Sequence, residues 1–177
     1  CLLHAVFVYG AMLKFIGKYN PFAFFKNLLP AQLVAFSTCS SSATLPVNME
    51  CVQKMGVSKE ISSFVLPLGA TVNMDGTALY QGVCALFVAQ IYGIDLTSAQ
   101  MMTIILTGTL ASIGTAGVPG AGLIMLTMVL QSVGLPLEGV ALVAGIDRVL
   151  DMPRTTVNIT GDAVVAYLIE KGEAGRA

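Results

Sequence analysis

Apolar runs dominate this chain, and each of them stops short. Residues 1–17, CLLHAVFVYGAMLKFIG, are almost wholly apolar and predict a helix. KYNPFAFFKNLLP (18–30) mixes polar and aromatic residues and reads as an interfacial loop. AQLVAFST (31–38) begins another helix, which halts at CSSSATLP (39–46). That is too short to cross a bilayer, since a span needs about 20 residues. VNMECVQKMG then leads to the charged SKE at 58–60. Two half-helices around a Ser-rich tip predict a re-entrant hairpin. ISSFVLPLGATV (61–72) is a further half-helix, broken at NMDGT (73–77) and resumed in TALYQGVCALFVAQIYG. TSAQMMTIILTGTLAS (97–112) runs into Gly-rich IGTAGVPGAG (113–122) and then LIMLTMVLQSVGLP, a second hairpin. Residues 136–170 predict one final helix.

The expected fold is therefore an all-α membrane protein with discontinuous transmembrane helices and two re-entrant helical hairpins. Its units are part of a helix (1–19), hairpin 1 (20–57), a broken helix (58–94), hairpin 2 (95–134) and a final helix with tail (135–177). All belong to one partial domain. Unwound backbone at membrane depth survives only where it is buried in protein or lines a cavity. Hairpins and a broken helix arranged so are the pattern of a secondary transporter, with half-helix ends around a midplane site.

Composition supports the bilayer as solvent. Hydrophobic residues make up 55% and charged residues only 11%, with mean hydropathy +0.81, against about 25% charged in soluble domains. A net charge of −1 offers no footprint for nucleic acid. The chain opens inside an apolar run and reads as the C-terminal part of a longer protein of the cell membrane (plasma or inner), with IEKGEAGRA as its tail. Cys1, Cys39, Cys51 and Cys84 lack CxxC spacing, which argues against a zinc site or a disulfide framework. His4 reads as a tolerated helix residue.

Charge is concentrated in DRVLDMPRTTVNITGD (147–162). At 100° per residue, Asp147, Asp151, Arg154, Asn158 and Asp162 fall within an arc of about 80°. Each charge at a bilayer centre costs at least ~2.5–3.5 kcal/mol on insertion scales, so this face must meet a protein interior. Asp151 and Arg154 could neutralise each other as helix glue. That leaves Asp147 and Asp162 without a cation, and Asp75 adds to the deficit. Bound sodium ions or protons would balance it. Arg148 lies off the stripe and reads as a surface contact. Pro153 bends the helix and could free a carbonyl.

Each break offers ligands. Ser40–Ser42 supply hydroxyls and a helix N-terminus, which attracts carboxylates. NMDGT supplies oxygen donors suited to hard cations. GTAGVPG supplies backbone able to close over a ligand. Asp151 can hold an ammonium and Arg154 a carboxylate, so a zwitterion with an acidic side chain fits. A hydrolase built on the serine triplet would need a base within reach, and the sole histidine lies on another helix. We read no enzyme here. A purely structural subunit leaves the carboxylates unexplained.

SSSATLP, LPLGATVNMDGTALYQ, ASIGTAGVPGAG and DMPRTTVNITGD, in this order, closely resemble the glutamate/aspartate transporter family, the dicarboxylate/amino acid:cation symporters. The resemblance runs from about residue 20 to 170. It implies homotrimers in the bilayer, each protomer with a scaffold and a transport domain moving as an elevator. This chain would be most of the transport domain, with hairpin 2 as gate.

The resemblance also implies roles. Arg154, helped by Thr77 and Gly122, would bind the substrate's side-chain carboxylate. Asp151 would bind its amino group, with the Cys39 and Val118 carbonyls. Ser41 and Asn158 would bind the α-carboxylate, and Thr155 would line the pocket. One sodium would take carbonyls of Gly69, Asn73 and Asn158 with the Asp162 carboxylate. A second would take carbonyls of Thr71, Ser112, Ile113 and Thr115, and a third Asp75 and Asn73. No cofactor beyond sodium as coupling ion is implied. Cys39 and Met152 stand where archaeal and animal members, respectively, carry an arginine, and Arg148 is the nearby candidate to replace it. Gln81 stands where animal members carry a proton-carrying glutamate, which argues against coupling of the animal kind. Asp151 and Arg154 together imply an acidic amino acid, aspartate or glutamate. The alternative is a proton-coupled acidic amino acid or dicarboxylate carrier.

Overall fold

The computed structural model describes residues 1–174, so the tail residues 175–177 lie outside the described residues. The described residues are helical throughout their regular structure, with no strand. An N-terminal helix comes first, wound as π-helix over His4–Tyr9 and Met12–Ile16. The wide turn shows where Gly17 N–H donates to the Met12 carbonyl at 3.0 Å. The remaining helices are α1 (Pro21–Thr38), α2 (Ser41–Lys54), α3 (Lys59–Val72), α4 (Asp75–Ile91), α5 (Ser98–Ile113), α6 (Ala121–Ser132), α7 (Gly139–Ala144) and α8 (Asp147–Ala174).

Of residues 18–30, expected as a loop, only 18–20 connect helices, and from Pro21 onward they belong to α1. Asn20 caps α1, its Oδ1 accepting from Phe22 N–H at 3.0 Å, and Pro21 occupies the first helical position. Both are favoured at a helix start. Phe24, Leu28, Ala31 and Ala35 recur at helical spacing and are buried together. The breaks are also narrower than expected. Only Cys39 and Ser40 separate α1 from α2, and only Asn73 and Met74 separate α3 from α4. Ser41, Ser42, Asp75 and Gly76 sit in first helical turns, where short polar residues and glycine cost little. The expected single final helix is two, because the chain turns at Gly145 and Ile146 between α7 and α8.

Two apolar cores result. The N-terminal helix, α1, α2, α3 and the distal half of α8 share one, around Leu13, Phe24, Leu28, Leu66 and Val164. Helices α4 to α7 share the other, around Ala85, Val88, Leu126 and Leu130. Helix α8 packs against α1, α2, α3, α4, α7 and the N-terminal helix. Its charged stripe lies between the cores, buried at Asp147, Asp151, Arg154, Asn158 and Asp162. Among the described residues no helix is long and apolar enough to cross a membrane. The breaks shorten most helices, and the longest, α8, carries the charges.

Candidate functional site

The breaks between helix pairs meet the polar face of α8 at one cavity. Cys39 and Ser41 border it from the α1–α2 break, Met74 and Thr77 from the α3–α4 break. Thr115, Ala116, Gly117, Val118 and Gly122 border it from the α5–α6 break, and Asp151, Arg154, Thr155 and Asn158 from α8. Every residue to which the resemblance gives a substrate contact is among these. The space left is about 10 Å³, roughly one water.

The breaks are tied to one another. Ser40 Oγ accepts from Ala43 N–H at 3.1 Å, capping α2, and donates to the Gly117 carbonyl at 2.8 Å. Ser42 N–H donates to the same carbonyl at 3.1 Å. A Cβ on Gly117 would stand 2.8 Å from Ser42 Oγ and 3.0 Å from the Ala70 carbonyl, so a side chain there would crowd this approach. Arg148 is exposed and donates to the Ser37 and Thr38 carbonyls, at 2.8 and 3.2 Å. Its charge thereby caps the C-terminus of α1, a favourable end for a cation. Pro153 faces an apolar groove with Phe25 and Phe36, away from the cavity.

Inside the cavity, Arg154 stands between two carboxylates. Its Nη2 lies 3.0 Å from Asp151 Oδ1 and its Nη1 3.4 Å from Asp147 Oδ1. Asp147, which the stripe alone left without a cation, thus has one. Tyr80 donates to Asp147 at 2.8 Å, and its ring lies 4.1 Å from the guanidinium carbon, within cation–π range. Asp151 also accepts from Thr155 Oγ1 at 2.8 Å and from Gly120 N–H at 3.0 Å. Asn158 accepts from Gly76 N–H at 2.8 Å and donates to Thr77 Oγ1 at 3.2 Å, joining α8 to the start of α4. Gln81 is fully buried, beside Gly108 of α5.

A second polar cluster lies behind the α3–α4 break. Asp162 Oδ1 accepts from Asn73 Nδ2 at 3.0 Å, and the carboxylate lies over Gly69, leaving no space for a Cβ there. Gly69, Asn73 and Asp162 are thus together. Asp75 faces the N-terminal helix instead, accepting from Tyr9 OH at 2.8 Å, with His4 Nε2 at 3.2 Å. His4 is more than a tolerated helix residue, since it partners a carboxylate. Polar groups in an apolar helix need partners, and that was the available signal for both His4 and Tyr9. Tyr80 follows Thr77 by one turn of α4, which was the available signal there. Thr71 in the last turn of α3 and Ile113 at the end of α5 have exposed side chains, while Ser112 and Thr115 are buried. Final turns carry carbonyls without helical partners, suited to a cation. No group of three or more His, Cys, Asp or Glu gathers among the described residues. Cys1, Cys39, Cys51 and Cys84 are free thiols.

Comparison with known proteins agrees with the motifs. Over 170 residues the chain is 47% identical to excitatory amino acid transporter 1 of Rattus norvegicus, covering 96% of this chain and 31% of that protein. It is 49% identical over 153 residues to an excitatory amino acid transporter of Caenorhabditis elegans, covering 86% of this chain and 30% of the relative. Excitatory amino acid transporter 3 of Mus musculus is 48% identical over 170 residues, with 96% and 32% covered. The chain thus spans about a third of the length of these relatives. The model of the sodium:dicarboxylate symporter family matches residues 1–172, and the chain belongs to that family.

Proposed function

We propose that this chain is most of the transport domain of a secondary active symporter that moves acidic amino acids, aspartate or glutamate, with sodium. The observation that carries the reading is the convergence of the helix breaks and the α8 stripe on one small cavity holding Asp151 and Arg154. The relatives' names, which speak of excitatory amino acid transport, support the substrate class.

The chemistry follows from charge pairing. Arg154 and Asp151 neutralise each other while the cavity is closed. An amino acid with an acidic side chain would exchange that pair for two new ones, carboxylate on Arg154 and ammonium on Asp151. Arg154 and Asp151 would each keep an ionic partner, and leaving either one buried without one would cost ~3–5 kcal/mol. Thr77 and Gly122 would flank the side-chain carboxylate. Ser41 and Asn158 would take the α-carboxylate, and Cys39, Val118 and Thr155 would complete the pocket. The cavity is far smaller than an amino acid, and we read the 114–120 segment as the part that lifts to admit one. We read α5 and α6 as a re-entrant gate, α1 and α2 as the opposing hairpin, and the whole as the moving part of a membrane-embedded homotrimer.

Sodium would enter where carboxylates and helix C-termini outnumber cations. Gly69, Asn73, Asn158 and Asp162 would form one site, Asn73 and Asp75 part of another. Thr71, Ser112, Ile113 and Thr115 would form a third between the ends of α3 and α5. Sodium at that third site would order the 114–120 segment, and substrate would then close it, which is coupling as a binding free energy.

The test is uptake of labelled aspartate by the full-length protein in liposomes under an inward sodium gradient, with Arg154→Ala alongside. Sodium-dependent uptake abolished in the variant is expected. Uptake that ignores sodium and follows a pH gradient would assign the carboxylates to proton carriage instead. Failure of aspartate, glutamate and neutral amino acids alike would overturn the substrate class.

A further inference from the structure

Tyr9 stands apart from every role assigned so far. It belongs to the N-terminal helix, is 3% exposed, and reaches across to α4 and α8. Its hydroxyl donates to Asp75 Oδ2 at 2.8 Å and lies 3.3 Å from the Val157 carbonyl. Gly161 of α8 leaves the room through which the hydroxyl passes, since a Cβ there would collide with it. The same Cβ would stand 2.8 Å from Asn73 Nδ2, the amide that donates to Asp162. The phenol thus lies beside Asp75 and the α8 backbone, and the space left by Gly161 borders both the phenol and the Asn73 amide. A core tyrosine needs no such path. Its ring also holds His4 edge-on, with centroids 4.8 Å apart, and His4 Nε2 meets the same Asp75 oxygen.

We propose that Tyr9 is a positioning residue for a coupling ion: it holds one oxygen of Asp75, so that the other is presented at the α3–α4 break beside Asn73. This rests on the sodium reading above. The Asp75 side chain is 39% exposed, so with only the longer His4 contact, at 3.2 Å, left to hold it, it is freer to rotate away from the break. A carboxylate held in advance binds a cation more tightly than one that must first be ordered. Tyr9 contributes order, its hydroxyl proton being committed to Asp75.

The experiment uses the full-length protein in detergent, with sodium chloride as probe and choline chloride keeping ionic strength constant. Sodium affinity is read from sodium-induced thermal stabilisation, and substrate affinity is measured separately at saturating sodium. Tyr9→Phe keeps the ring and removes the donor. It is expected to weaken sodium binding about tenfold, the scale of one hydrogen bond to a charged group, with substrate affinity at saturating sodium unchanged. In an Asp75→Asn background the same change is expected to add nothing. Unchanged or tighter sodium binding in Tyr9→Phe would overturn the proposal, as would an equal loss in both backgrounds. A variant that fails to fold even at saturating sodium would show a packing role and also overturn it. A parent protein that sodium does not stabilise would sink the sodium reading itself, a result distinct from all of these.

Discussion

Gly76 has no side chain because α8 runs directly against it. A Cβ there would collide with the Arg154 carbonyl and stand 3.0 Å from Asn158 Oδ1. The backbone of the residue that carries the guanidinium is thereby held against the start of α4. Gly82, six residues on in the same helix, meets nothing within 4 Å. The two glycines predict opposite outcomes. Gly76→Ala must push α8 away from α4 and is expected to cost at least ~1–3 kcal/mol, the usual penalty of overpacking. Gly82→Ala fills open space, restores helix propensity, and is expected to gain ~0.5–1 kcal/mol. Thermal unfolding of the full-length variants checks both. Only Gly76→Ala should also weaken binding of the proposed substrate, aspartate, since it displaces Arg154 and Asn158 together.

Caps and breaks govern the elements. Asn20 caps α1 at an exposed position with a single bond to Phe22 N–H, so Asn20→Ala is expected to cost about 1 kcal/mol. Ser40 caps α2 and also donates to the Gly117 carbonyl from a buried position. Ser40→Ala removes both bonds and leaves a buried acceptor one donor short, for ~2–3 kcal/mol in all. Comparing the two unfolding curves tests that ranking. Ser40→Ala alone should raise protease access to the 114–120 segment. These caps also explain what the sequence disclosed. Asn20-Pro21 is a helix-start signature, but the mixed polar and aromatic content of residues 18–30 reads as a loop when that signature is passed over. Ser41, Ser42, Asp75 and Gly76 were read as breakers, although the first turn of a helix accepts them. The α8 stripe was legible because its spacing alone puts Asp147, Asp151, Arg154, Asn158 and Asp162 on one face. The contacts of His4 and Tyr9 with Asp75 were not legible. They join residues 71 and 66 positions apart, and no periodicity encodes such a pairing.

At the scale of the molecule, two apolar cores close around a polar layer that is short of positive charge. Asp147 and Asp151 share the guanidinium of Arg154. Asp162 is buried with an amide as its donor, and Asp75 has a phenol and an imidazole. Bringing these carboxylates together uncompensated opposes folding, so any cation that binds the folded layer and not the unfolded chain must stabilise the protein by mass action. Sodium is expected to raise the melting temperature of the full-length protein while choline at equal ionic strength does not. At one hundred times its dissociation constant, one bound ion adds about 2.7 kcal/mol. Asp162→Asn removes both the repulsion and a proposed ligand. It should therefore melt higher than the parent without sodium and respond less to sodium. Equal shifts with sodium and choline would reduce the effect to screening, and the coupling ion would have to be sought among protons.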